Sequence, residues 1–210
     1  MSRKSLVIGL TGNIATGKST ILSYLREKCA FIIDADKLGH RVIEPGGQAY
    51  DAVVRTFGQE ILAEDGTIDR KKLGKIVFSN PIDLGKLEKI VHPKIFDLGK
   101  QEIAENESPV IVLEAIKLLE AGLMSTLCDE IWVVTSSLTT QLRRLLEARR
   151  MEESEARQMI DLQPPQAAKV NQADRVIEND GSLADLHAQL DAIWEDLKRR
   201  YPRRMTTLAR

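Results

Sequence analysis

Near the amino end, Gly12-Asn13-Ile14-Ala15-Thr16-Gly17-Lys18-Ser19 matches the spacing G-x-x-x-x-G-K-S/T at every position. Few short patterns restrict a fold so strongly. Glycines let the backbone turn tightly enough for successive N–H groups to face phosphate oxygens, and the helix that follows turns its positive end to the same anion. A lysine then reaches the β- and γ-phosphates, and the hydroxyl after it ligates Mg²⁺. The flanks fit. Leu6-Val7-Ile8-Gly9-Leu10 reads as a buried strand and Ser19 to Leu25 as a helix, the strand–loop–helix context the motif requires. The spacing predicts a nucleoside triphosphate site built from Asn13, Ile14, Ala15, Thr16, Gly17, Lys18, Ser19 and Thr20.

A second apolar run, Ala30-Phe31-Ile32-Ile33, ends in Asp34-Ala35-Asp36. Strand, helix and strand in such close succession imply a parallel βαβ unit, whose strand ends face the ligand crevice. A spacing of two in an extended chain turns Asp34 and Asp36 the same way. Either is a candidate to orient an acceptor hydroxyl and take its proton, and either also suits the N-cap of the next helix. From Lys37 to Asn106 the pattern is almost wholly helical, broken at Glu44-Pro45-Gly46-Gly47, Gly58, Gly66 and Asn80-Pro81. This stretch reads as an inserted helical lobe.

Strands follow at Val110–Leu113, closed by Glu114, and at Glu130–Thr135, with a short helix expected over Lys117–Leu123. Trp132 alternates with Ile131 and Val133 and reads as core. Leu138 to Leu162 reads as charged helix carrying Arg143, Arg144, Arg149, Arg150 and Arg157, a candidate lid. Arg175-Val176-Ile177 is a last short strand, Leu183 to Leu197 an amphipathic helix, and the basic tail from Lys198 is expected to fray. The order predicts an α/β fold: a five-stranded parallel phosphate-loop core with an inserted helical lobe and a helical lid. The expected boundaries are 1–36, 107–142 and 172–210 for the core, 37–106 for the lobe and 143–171 for the lid.

Composition narrows the partners. The 30 basic and 31 acidic residues nearly balance, so nothing points to nucleic acid or an anionic membrane. No segment approaches the ~20 apolar residues of a membrane span. Cys29 and Cys128 stand far apart and read as buried small residues in a reduced, cytoplasmic protein. Phosphoryl transfer also needs a metal and positive charge over the moving group. Ser19, with Asp34 or Glu114 acting through water, is the candidate metal site, and the Leu138–Leu162 arginines supply the charge.

Assembled in this order, the stretches resemble the dephospho-coenzyme A kinase family from about Leu6 to Leu190. The residues that carry the resemblance are Ile8-Gly9-Leu10-Thr11-Gly12 and Ile33-Asp34-Ala35-Asp36, then Glu44-Pro45-Gly46, Asp65 to Arg70 and Val91-His92-Pro93. Glu155-Ala156-Arg157 with Gln163, and Ala173-Asp174 with Val176 to Gly181, complete it. The resemblance implies transfer of phosphate from ATP, with Mg²⁺, to the ribose 3′-hydroxyl of dephospho-coenzyme A. It implies Asp36 as base with Asp34 beside it near metal or acceptor, and Lys18 and Ser19 as phosphate and Mg²⁺ groups. Arg149, or its neighbour Arg150, matches the lid arginine. Arg70 and His92 fall in the acceptor lobe, His92 either as a structural group or as a substrate contact. A monomer or weak homo-oligomer is expected.

The chain departs from the family at Asn13, Ala15 and Thr16, where small residues are usual. It also departs at Glu114-Ala115-Ile116-Lys117, where D-V-P-L is usual, and at Thr135, where Asp is common. The rival readings are another small-molecule kinase, such as a nucleoside or nucleotide kinase, and a non-catalytic nucleotide-binding regulator. A guanine-nucleotide switch needs N/T-K-x-D, and Asn171-Gln172-Ala173-Asp174 lacks the lysine.

Overall fold

In a computed structural model, which describes residues 5–120 and 122–205, β1 (Leu6–Gly12) is buried at every position. A continuous apolar run behaves this way when both faces of a parallel sheet are covered. β1 pairs with β3 (Val110–Glu114) on one side, Leu6 opposite Val110 and Leu10 opposite Glu114. On the other side lies β4 (Glu130–Thr135), Ile8 opposite Glu130 and Gly12 opposite Val134. With β5 (Arg175–Glu178) beyond β4 and β2 (Phe31–Asp34) beyond β3, the sheet is all-parallel in the order β2-β3-β1-β4-β5. The chain leaves β1 toward the β2 side and leaves β4 toward the β5 side. The crevice that binds ligands in such sheets therefore opens at the carboxyl end of β1.

The fold divides into two units, residues 1–33 with 106–210, and residues 34–105. In the first, α1 (Lys18–Glu27) packs Ile21 and Leu25 into the core formed by Leu6, Ile8, Leu10, Trp132 and Val134. Leu186, Leu190, Trp194 and Leu197 of α9 (Leu183–Arg200) close that core. The Trp132 indole N–H donates to the buried Glu130 carboxylate at 3.0 Å, which lets the ring sit inside without an orphaned donor. The Tyr24 hydroxyl donates to Asp191 at 2.6 Å and ties α1 to α9.

The chain departs from the sequence expectations at several elements. Leu138–Leu162 forms two helices, α6 (Leu138–Arg149) and α7 (Glu153–Asp161), because Arg150 takes a left-handed φ of 52° as the cap of α6. No helix spans Lys117–Leu123; residues 116–120 form a turn, Ala121 lies outside the described residues, and a 3-10 turn follows at Met124–Leu127. The Ile116 carbonyl is taken by the Thr11 hydroxyl at 3.1 Å and the Lys169 ammonium at 2.6 Å, leaving no lone role for a helical amide. The tail does not fray at Lys198. α9 runs to Arg200, α10 (Pro202–Met205) follows with Met205 buried, and Arg204 pairs with Asp129 at 2.8 Å; residues 206–210 lie outside the described residues. Cys29 is exposed and Cys128 half-buried, neither fully inside as expected.

The second unit holds α2 (Ala35–Val42), α3 (Tyr50–Phe57), α4 (Arg70–Ser79) and α5 (Pro81–Glu105) around Val42, Val53, Phe57, Ile61, Leu73 and Val77. Its breaks fall where the sequence marks them. Gly58 and Gly66 adopt φ of 84° and 81°, and α5 starts at Pro81. α5 continues through Pro93, with His92 half-buried beside it.

Candidate active site

The loop leaves β1 at Gly12 and enters α1 at Lys18. Both of its glycines answer a close approach. A Cβ on Gly12 would lie 2.5 Å from the Val134 carbonyl, and one on Gly17, at φ 98°, would lie 2.1 Å from Asn179 Nδ2. Beneath the loop sits a polar support. Arg144 Nη1, from α6, donates to the carbonyls of Ala15 and Thr16, both at 3.1 Å, and Nη2 donates to the Asn179 carbonyl at 2.9 Å. Asn179 Nδ2, just after β5, donates to the Thr16 carbonyl at 2.8 Å. Ser136 Oγ, after β4, donates to the same carbonyl at 3.3 Å.

These contacts set the direction of the backbone. In a trans peptide C=O and N–H point opposite ways, so a Thr16 carbonyl held from below turns the Gly17 N–H away from the support. α1 adds its N-terminal dipole in the same region. Lys18 Nζ donates to the Gly12 carbonyl at 2.8 Å, and Ser19 is exposed on the first turn of α1, with Thr20 next. Burial lowers the proton affinity of Arg144, as does the neighbouring charge of Arg143, while Asp180 opposes both. The guanidinium still keeps its proton. Asp180 is held below the usual carboxylate range by hydrogen bonds from the Thr140 and Ser137 hydroxyls.

The unusual loop residues have local explanations. Thr16 is fully buried, and its hydroxyl donates to the Asn13 carbonyl at 2.9 Å. Asn13 Nδ2 donates to the Pro164 carbonyl at 2.9 Å, and the Ile14 N–H donates to Gln163 Oε1 at 2.7 Å. Ala15 takes a left-handed φ of 58°.

The other candidates divide. Glu114 ends β3 half-buried, and Lys117 is exposed in the following turn, which Lys169 holds through the Ile116 carbonyl and an ion pair to Glu120 at 3.0 Å. Arg149 and Arg150 are exposed at the end of α6, and Arg157 pairs with Glu153 within α7. Arg144, grouped by sequence with the lid arginines, is instead bonded to loop backbone. In the second unit Asp34 caps α2, accepting from the Lys37 N–H at 3.1 Å. Asp36 is exposed on the first turn of that helix. The helix begins at Ala35, so the strand rule that would turn both carboxylates one way does not apply. Arg70 is exposed at the start of α4.

A family model for dephospho-CoA kinase matches residues 6–185. A dephospho-CoA kinase of Geobacter metallireducens is 42% identical over 201 residues, covering 94% of this chain and 100% of the relative. The chain belongs to the dephospho-CoA kinase family. A solved structure from Thermus thermophilus superposes with a TM-score of 0.78 at 33% identity, over 92% of this chain and 98% of that one. The dephospho-CoA kinase of Campylobacter jejuni gives 0.69 at 26% identity, over 92% and 97%. The phosphate-loop kinase fold read from the sequence is thus the observed one. Family membership also places the chain among kinases of a small-molecule acceptor.

Sequence reasoning missed the roles of Arg144, Gln163 and Asn179. The available signal was a polar buried face on α6, Thr140 and Gln141 with Arg144 one turn on, which apolar periodicity does not register.

Proposed function

We propose that this chain transfers the γ-phosphoryl group of ATP to the 3′-hydroxyl of dephospho-coenzyme A, giving coenzyme A and ADP in the cytoplasm. What supports the reading is the supported phosphate loop within a chain that matches the family along residues 6–185. Residues Asn13 to Thr20 form the phosphate cradle, in which the Lys18 ammonium and loop N–H groups other than that of Ile14, which Gln163 holds, bind the phosphates. The fit to Mg²⁺ rests on one donor, the Ser19 hydroxyl, exposed on the turn that follows the loop, with Asp34 or Glu114 acting through water. Held there, Mg²⁺ would supply positive charge to offset that of the nucleotide phosphates.

Asp36 orients the acceptor hydroxyl and takes its proton as the new O–P bond forms and the bond to ADP breaks. Asp34 Oδ1 accepts the Lys37 N–H as the helix cap, which favours Asp36 over Asp34 for this role. Arg149 supplies positive charge to the moving phosphoryl group. Asp34, Arg70 and His92 contact the acceptor side; residues 37–106 serve as the acceptor lobe and 143–171 as the lid. No described helix is long and apolar enough to cross a membrane, and a monomer or weak homo-oligomer suffices for this chemistry. Incubation with Mg-ATP and a panel of acceptors tests the reading. Dephospho-coenzyme A is expected to be consumed well ahead of nucleosides and nucleoside monophosphates, and preference for a nucleoside would overturn it.

A further inference from the structure

The link between α7 and α8 (Gln166–Val170) touches the loop at two consecutive positions. Gln163 Oε1 accepts the Ile14 N–H at 2.7 Å, and the Pro164 carbonyl accepts Asn13 Nδ2 at 2.9 Å. The link is itself fixed to the frame. The Gln166 side chain accepts from the Ser136 N–H at 3.2 Å and donates to the Ser136 carbonyl at 2.8 Å, and Lys169 is held at Ile116 and Glu120. The next loop residue, Ala15, sits in the left-handed region that a side chain with Cβ disfavours. A strained conformation of this kind persists only when surrounding bonds over-determine it. Arg144 and Asn179 hold the loop from below at residues 15 and 16; the Gln163–Pro164 link holds it at residues 13 and 14.

We infer that Gln163 is a positioning residue for the phosphate loop: its side-chain oxygen fixes the peptide between Asn13 and Ile14 and so shapes the loop before phosphate arrives. The inference rests on the proposed phosphate-binding role of the loop. Preorganisation of this kind appears as affinity, because the ordering cost is met in the free protein. It acts on ligands that fill the loop with β- and γ-phosphates and not on those that lack them.

Gln163→Met keeps length and volume while removing the acceptor oxygen. Calorimetric titration of the full chain with ATP, ADP and AMP, alongside steady-state kinetics, reads the effect. Kd for ATP and ADP is expected to rise about fivefold to tenfold, the effect of one net hydrogen bond. Kd for AMP and KM for dephospho-coenzyme A should stay unchanged. Asn13→Ala should act in the same direction, and the double variant should lose less than the product of the two. In the unmodified protein, amide exchange at Ile14 should be slow without nucleotide, a readout that needs no variant to fold. Unchanged or tighter ATP binding by Gln163→Met, even with a lowered melting temperature, overturns the inference, as does fast exchange at Ile14. Failure of the unmodified protein to bind ATP would instead strike the function proposed above.

Discussion

At the scale of single residues, the chain separates groups that shape the loop from groups that would do chemistry. Arg144 belongs to the first kind. Its guanidinium reaches the carbonyls of Ala15, Thr16 and Asn179 and the Ser136 hydroxyl at once, which needs a planar fork. Arg144→Lys keeps the charge but loses the fork and leaves buried acceptors unpaired. Urea denaturation should show a loss of about 2 kcal/mol, with weaker ATP binding. Asp36, as proposed above, belongs to the second kind. Asp36→Asn should leave ATP affinity unchanged and lower kcat by about 10²- to 10⁴-fold, the range for a lost general base; retained turnover would make Asp36 a first-turn residue with no chemical role. The motif made the loop legible because its spacing encodes backbone geometry. Asp34 as a cap was also legible, since Asp is a favoured cap and the helix starts directly after it. Arg144 was not, because one arginine among five looks alike in sequence whether it faces solvent or carbonyls.

At the scale of elements, strands and breaks were legible and polar docking was not. Gly58, Gly66 and Pro81 end or begin elements for reasons of backbone freedom that sequence carries directly. The end of α6 was missed because Arg150 is not a residue type that advertises a left-handed cap. Arg150→Gly removes the Cβ penalty there and should raise stability by about 0.5–1 kcal/mol in thermal or urea unfolding. Turnover should persist if Arg149 is the lid arginine; its collapse would move that role to Arg150. The turn at residues 116–120 was missed because its determinant, Lys169, lies far along the chain. That ammonium is almost wholly buried between the Ile116 carbonyl and Glu120. Lys169→Met should cost about 1–3 kcal/mol in unfolding free energy by leaving the Ile116 carbonyl short of a partner.

At the scale of the whole molecule, the parallel sheet was legible from alternating apolar runs and helices, whereas its strand order, β2-β3-β1-β4-β5, was not, because the apolar runs do not say which strand lies beside which. Charge balance carries a consequence of its own. Asp180 titrates below its unfolded value of about 3.9 because the Thr140 and Ser137 hydroxyls favour its ionised form. A depressed folded value contributes stability above the unfolded one, and that contribution is lost as pH falls through the folded one. Asp180→Asn should therefore lower the melting temperature at pH 7, with the gap to the unmodified protein narrowing below about pH 4. A gap independent of pH would assign the effect to lost hydrogen bonds alone. The proposed reaction forms a single bond, between the ATP γ-phosphorus and the ribose 3′-oxygen, as the bond to ADP breaks. Mass spectrometry and ³¹P NMR of the product formed from Mg-ATP and dephospho-coenzyme A test it most directly. The expected product is a 3′-phosphomonoester, coenzyme A itself, formed in step with ADP; release of inorganic phosphate alone, or phosphate on another oxygen, would contradict the proposed transfer.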